Sequence, residues 1–307
     1  LFPRGFPFYF PDEHERIYRL LDEKAPSAVI AATGRNPEIA GGMYPFPLIE
    51  DGSFPYPSAY MTDEMGEVVV GEARRAEATA PGHGTVPAAR VHIDSDRMPA
   101  EIEQIEARRG RMPGGEASAG RGRIVVTAHI DSKEGSPGAI DNAAGVSVLL
   151  LLAELLADYS GPHGVELVPF NGEDYYASTG QVDWLKRNEA TVGNIALAVN
   201  IDGAGYYDGV TEYSTYGLSP ELASAVEKAL SGRSEHGAGA LSPGEPWFQS
   251  DHSIFVQRGV PAVAVTSERF RELSRTVTHT THDVPEIVDP ARLTGIALAL
   301  KDLIASI

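Results

Sequence analysis

From Arg123 onward the chain alternates short, largely apolar runs with longer amphipathic stretches in which apolar residues recur every three or four positions. Short, largely apolar runs suit buried strands, and the longer recurrence suits helices packed on one side. Ile124–Ala128, Val165–Phe170, Ile195–Ile201 and Pro261–Thr266 therefore read as strands. Ala143–Asp158, Ser178–Asn188, Pro220–Ser231, Ser250–Arg258 and Pro290–Ser306 read as helices. Asp289 before Pro290 offers a capping side chain and then a proline whose fixed φ suits a first turn, and Ser250 offers a cap to its own helix. The alternation predicts an α/β domain with a mixed, largely parallel central sheet flanked by helices.

Residues 1–99 follow a different pattern. A helix over Asp12–Lys24 leads to a strand-like Ser27–Thr33, and a segment rich in Gly, Pro and aromatic residues then runs to Tyr60. Segments 81–84 and 108–122 have the composition of loops. The expected organisation is a small β-rich accessory domain, 1–99, followed by a main domain, 100–307.

Composition narrows the function. A chain of 307 residues, 42% hydrophobic and 22% charged, is neither disordered nor fibrous. Cysteine is absent, which excludes disulfides, thiolate metal sites and cysteine nucleophiles. The net charge of −18 argues against nucleic acid or an anionic membrane as partner. Most of this acidity reads as solvated surface, and the remainder suggests carboxylates that converge on cations. The longest largely apolar run, Val146–Ala157, contains Glu154 and falls short of the roughly 20 residues a helical span requires. The opening LFPRGFPFYF, broken by Pro3 and Pro7, does not resemble a signal peptide. The expected compartment is the cytoplasm, with secretion left open because residue 1 is leucine. Oligomeric state is not readable.

Three of the expected strands run into metal-competent side chains: His129 and Asp131, then Glu173 and Asp174, then Asp202. The carboxyl edge of an open α/β sheet is where ligands bind, so residues far apart in sequence can meet there. Asp141 stands in the Gly-rich loop Gly138–Gly145 just before a helix, and His129 with Asp141 is a mixed N/O set that suits zinc. An isolated His-x-Asp is most often a surface pair, but this one has company. In Asn171-Gly-Glu-Asp174 adjacent acids point in different directions, so one can ligate a metal while the other acts as a base towards water. Thr278-His-Thr-Thr-His-Asp283 supplies two histidines, either of which is a candidate ligand.

In this order the segments Ala128-His-Ile-Asp-Ser132, Gly138 to Gly145, Gly172-Glu-Asp174, Asn200-Ile-Asp202, Ser250-Asp-His-Ser-Ile-Phe255 and His279-Thr-Thr-His-Asp283 resemble the motifs of the M28 zinc aminopeptidases. The resemblance covers roughly residues 123–290. It implies a zinc exopeptidase fold with two zinc ions per chain, one held by His129 and Asp202, the other by Asp174 and His279, with Asp141 bridging. It also implies Glu173 as the catalytic base and a peptide with a free N-terminus as substrate. Asp131, Asn142, Tyr206, Tyr207, Asp251 and Asp283 are expected to support the site or touch substrate. Two positions depart from the family pattern: Thr278 stands where an oxyanion-stabilising tyrosine is common, making Tyr206 or Tyr207 the substitute candidates, and Asp174 replaces the commoner glutamate. The N-terminal region more weakly resembles a protease-associated domain through Ser27–Thr33 and Phe54–Thr62.

The expected function is a dizinc metallo-exopeptidase acting on N-terminal residues. The alternatives are a single-zinc acyltransferase like glutaminyl cyclase, whose pattern lacks the first histidine, and a non-catalytic receptor-like relative without its metal ligands. A pocket for the substrate side chain is expected between loops 206–216 and 244–249, with Trp247 and Phe248 as candidate lining.

Overall fold

The computed structural model describes residues 12–32, 55–79, 89–94, 96, 98–99, 101–110, 122–175, 178–231 and 241–307. Segment 33–54, the expected loop 81–84 and residues 111–121 of the expected loop 108–122 lie outside the described residues, whereas Arg108 and Arg109 belong to a strand. The chain divides into two compact units, with the break between Glu101 and Ile102.

In the first unit, α1 (Asp12–Lys24) precedes β1 (Val29–Ala32), and β2 (Ser58–Met61) precedes α2 (Asp63–Thr79). The two strands pair in parallel, Val29 opposite Ser58 and Ala32 opposite Met61. Tyr18 is buried, and Tyr56 donates to the Leu21 carbonyl at 3.1 Å. The described part of this unit carries more helix than its expected β-rich character. The helix missed is α2, whose Val68–Val70 run reads as strand while its Glu, Ala and Arg residues favour helix.

The second unit is built on β3 (Ala107–Arg109), β4 (Arg123–His129), β5 (Gly164–Phe170), β6 (Ile195–Ile201), β7 (Thr211–Tyr216), β8 (Ser242–Pro243) and β9 (Ala262–Ser267). They form a sheet in the order β3-β5-β4-β6-β9-β7-β8. The run β5-β4-β6-β9 is parallel, and β3 and β7 join its two ends antiparallel. Every residue of β4 and β9 is buried, as suits largely apolar strands covered on both faces. The helices are α3 (Ala144–Leu155), α4 (Thr179–Asn188), α5 (Pro220–Leu230), α6 (His252–Val256), α7 (Phe270–Thr276) and α8 (Pro290–Ser306).

Ile124, Val126 and Ala128 of β4 join the main apolar core with Val148 and Leu152 of α3, Val226 and Leu230 of α5, and Ile296, Leu300 and Leu303 of α8. Strand periodicity turns Val125, Thr127 and His129 to the opposite face. There Trp184 of α4 lies edge-on to Phe170 at 5.9 Å and to Phe255 of α6 at 5.4 Å. Asp289 caps α8 as its sequence suggests, accepting from the Ala291 N–H at 2.9 Å. Ser250 does not cap its helix. Asp251 occupies the cap position without a side-chain bond, and α6 covers only His252–Val256, because Ser250 turns its hydroxyl inward to Asp202.

Candidate metal centre

From β4 the chain passes outward to β5 and then returns to β6 on β4's other side, which makes the carboxyl end of β4 a topological switch point. His129 is the last residue of β4, Glu173 and Asp174 follow β5, and Asp202 follows β6. Gly172, with φ of 104°, allows the turn that brings the two acids back over the sheet edge. Asp141 and Asn142 sit in non-helical conformations in the irregular turn before α3, joined by a cis peptide. His279 follows α7 in a left-handed conformation, φ 60°.

These segments converge on the Asp141 carboxylate. Its Oδ1 lies 3.0 Å from His129 Nε2 and its Oδ2 lies 3.2 Å from His279 Nε2. His129 Nε2 is also 3.5 Å from Asp202 Oδ1, and His279 Nε2 is 2.6 Å from Asp174 Oδ1. Asp141 thus has one oxygen for each histidine, and each histidine has a further carboxylate of its own. His129, Asp141 and Asp174 offer ligand atoms that all lie within 4.8 Å of one another.

The surrounding hydrogen bonds fix this arrangement. Asp131 accepts from the backbone N–H groups of Gly172, Glu173 and Asp174 at 2.8, 3.1 and 3.0 Å, holding the acidic turn from the end of the neighbouring strand. Asp283 accepts from the N–H groups of Ile140 and Asp141 at 2.6 and 3.1 Å. Asn142 donates to the Ile201 carbonyl at 2.8 Å and accepts from the Gly145 N–H at 3.0 Å, tying the turn to the end of β6. A chain runs from the Thr127 hydroxyl to Asn200 (2.9 Å), from Asn200 to Ser250 (2.8 Å), and from Ser250 to Asp202 Oδ2 (2.6 Å).

The model of peptidase family M28 matches residues 110–304. The chain belongs to that family. Among solved structures, this M28 chain is similar to an aminopeptidase from Aneurinibacillus sp. strain AM-1, at 20% identity and a TM-score of 0.63 over 92% of the chain. It is also similar to a zinc aminopeptidase from Bacillus subtilis, at 18% identity and a TM-score of 0.64 over 94% of the chain. It spans 63% and 65% of those two proteins. A vacuolar membrane protease of Yarrowia lipolytica is 25% identical over 158 residues, half of this chain and 16% of that protein. The fold is accordingly the mixed α/β zinc exopeptidase fold. No described helix is long and apolar enough to cross a membrane.

Whether the M28 chain's own residues suit a cation is decided by their donor atoms. His129 Nδ1 faces the Asp131 carbonyl at 3.0 Å, so the N–H belongs on Nδ1 and Nε2 presents a lone pair. Nε2 is buried and close to two carboxylates yet makes no hydrogen bond, and buried Asp174 Oδ2 makes none either. Burial opposes charge on His129, but Asp141 and Asp202 outweigh it and raise its pKa well above the ordinary value. His279 is likewise pushed up to about 10, burial being outweighed by Asp141 and Asp174. For Asp141 burial is outweighed by the two histidines, which lower its pKa. The carboxylates therefore demand positive charge in their midst, and the donor set fits zinc.

Glu173 stands beside this group without joining its short contacts. Burial raises its pKa well above the usual carboxylate range. His129 opposes that, and Asp202, Asp251 and Asp174 reinforce it. Of the two C-terminal histidines, His282 is exposed while His279 makes the carboxylate contacts. The Tyr206 and Tyr207 rings are tilted by 53° with centroids 4.8 Å apart, and the charges acting on Tyr206 include Arg269 and Asp208. Thr278 is buried. Asp251 is fully buried, bonded to Gln181 Nε2 at 2.8 Å, and pushed up to about 7 chiefly by that burial. His252 points its Nε2 at the Trp247 carbonyl, 2.6 Å away, a structural contact.

Sequence reasoning missed Gln181 and Lys133. Lys133 is buried with its ammonium over the Tyr175 ring at 4.6 Å. Neither stands in a motif, and both act through contacts formed only by the folded chain.

Proposed function

We propose that this chain is a dizinc exopeptidase that removes N-terminal residues from peptides, with Glu173 as its base. The observation that carries this reading is the two-sided Asp141 carboxylate, 3.0 Å from one histidine and 3.2 Å from the other. In this reading His129 and Asp202 would hold one ion and Asp174 and His279 the second, with the Asp141 carboxylate available to each. Zinc so held would polarise the scissile carbonyl and lower the pKa of a water.

The chain's own residues supply the rest. Glu173, held in place through its backbone by Asp131, accepts a proton from the attacking water and returns it to the departing amine. Burial raises its pKa, which makes its carboxylate a better proton acceptor. The carboxylates of Glu173 and Asp202 also provide negative charge for a substrate's free α-ammonium group, which favours exopeptidase action. The N-terminal unit is read as an accessory, protease-associated-like domain on the resemblance of its strand sequences.

Zinc titration of the full chain, read together with hydrolysis of free and N-blocked aminoacyl amides, tests the reading. Two bound ions and cleavage confined to free amines are expected. One ion with cyclisation of N-terminal glutamine would replace it with the acyltransferase reading, and cleavage of blocked substrates alone would overturn it.

A further inference from the structure

The acidic turn that carries Glu173 and Asp174 leaves β5, which lies between β4 and the edge strand β3. Asp131 holds the turn from the β4 side through three amides. The opposite flank belongs to the chain before β3. β3 pairs antiparallel with β5 from Arg109 opposite Val165 to Ala107 opposite Leu167, and the pairing stops there. Farther along β5, Pro169 has no N–H to offer a backbone partner.

The Gln104 side chain takes over where the ladder ends. Its Nε2 donates to the Pro169 carbonyl at 2.8 Å and to the Ile105 carbonyl at 3.0 Å, and its Oε1 accepts the Asn171 N–H at 3.2 Å. Both amide hydrogens and the oxygen are thus used, and exchanging N and O would break all three bonds. The bonds to Pro169 and Asn171 span 65 and 67 positions. They start from a residue just past Ile102, where the long stretch of the second unit begins.

Asn171 is the residue through which this anchor acts on the turn. Its N–H goes to Gln104, its carbonyl accepts the Gly180 N–H at 2.9 Å, and its Nδ2 donates to the Glu103 carbonyl at 3.3 Å. The fit is close: a Cβ on Gly180 would lie 2.4 Å from Gln104 Oε1 and 2.5 Å from the Asn171 carbonyl oxygen. Gly172 reverses the chain directly after Asn171. Three amides converging on one carboxylate leave the turn free to pivot about that carboxylate. A further bond, made to Asn171 from the other side, removes the pivot. Any rotation at Asn171 would carry the proposed base and the proposed ligand with it.

We propose that Gln104 is a positioning residue: by fixing Asn171 it sets where Glu173 and Asp174 stand, although it bonds to neither. The proposal rests on the exopeptidase reading for its kinetic test and on the metal centre alone for its binding test. Gln104→Met keeps the reach of the side chain and removes its bonds. In the zinc-loaded full chain its kcat on an aminoacyl p-nitroanilide is expected to fall about tenfold with KM within about twofold of wild type. Competition titration with a chelator is expected to show about tenfold weaker zinc binding. Gln104→Glu keeps an acceptor for the Asn171 N–H and should recover part of both losses. Glu106→Gln is the control, since it weakens the Arg108 and Arg187 ion pairs of the same segment. It should leave kcat and zinc affinity within about twofold of wild type. Wild-type values in Gln104→Met, a change confined to KM, no recovery in Gln104→Glu, or an equal loss in Glu106→Gln overturns the proposal. If the wild-type chain cleaves no anilide, the exopeptidase reading fails separately, and the zinc titrations of the same variants still decide the role of Gln104.

Discussion

The Asp131 carboxylate accepts the backbone N–H of Asp174 at 3.0 Å, so a side chain at the end of one strand sets where an acidic turn beyond its neighbour can lie. The same carboxylate holds Gly172 and Glu173, placing the proposed base and the proposed ligand under one constraint. Asp131→Ala removes the acceptor for three consecutive amides. The expected result is a loss of about 10–100-fold in zinc affinity and in kcat/KM, with a smaller loss in Asp131→Asn, which keeps one acceptor oxygen. Competition titration with a zinc chelator and steady-state kinetics read the two effects. Wild-type zinc affinity in the alanine variant would show that the turn holds itself.

Glu173→Gln separates base from ligand. The amide is nearly isosteric but cannot take a proton, so kcat is expected to fall by about 10²–10⁴-fold while bound zinc per chain stays the same. Loss of an ion in this variant would move Glu173 from base to ligand.

Gly145→Ala tests the tie between the metal turn and β6. A Cβ there would lie 2.4 Å from Asn142 Oδ1, 2.7 Å from the Ile201 carbonyl and 2.9 Å from the Ala128 Cβ. Two of these are fixed by backbone or core packing, so relief requires the turn to shift. A destabilisation of about 1–3 kcal/mol is expected in denaturant titration, together with weakened zinc binding. An alanine variant of unchanged stability would mean that the turn is looser than its hydrogen bonds indicate.

His252 gives a pH dependence with a definite sign. Burial lowers its pKa from 6.5 to about 4, so the folded chain keeps it neutral where the unfolded chain protonates it. Its stabilising contribution is present above pH 6.5 and is lost as pH falls towards 4, to the extent of at most about 3 kcal/mol. Asp251, raised to about 7, works in the opposite direction as pH rises from its ordinary value. The difference between wild type and His252→Gln isolates the histidine. Urea midpoints should differ less at pH 4.5 than at pH 7, and a constant difference would exclude the burial effect.

What the sequence made legible was what local pattern controls. The four parallel strands are largely apolar runs, and the donors at the ends of three of them stand in short motifs, so both are visible without the fold. β7, Thr-Glu-Tyr-Ser-Thr-Tyr, escaped because four of its six residues are polar and dilute its apolar signal. α6 was overextended because Ser250 looks like a cap until Asp202, 48 positions earlier, is seen to claim its hydroxyl. The bond between Gln181 and Asp251 spans 70 positions and leaves no trace in local spacing. Tyr206 and Tyr207 were singled out for their closeness in sequence to Asp202, which says nothing of the Asp208 and Arg269 charges that act on Tyr206.

The strand order has a bearing on how the chain folds. Because β4 lies between β5 and β6 and β9 adds beyond β6, residues 129, 141, 174, 202 and 279 come together only after most of the second unit has been threaded. Contacts of such long sequence separation form late and slowly. An ion held by them would bind the native state and scarcely any intermediate, so it would act as a latch on the completed sheet. At a free concentration a thousand times its Kd it would add about 4 kcal/mol to global stability, and its release would report unfolding of the whole unit.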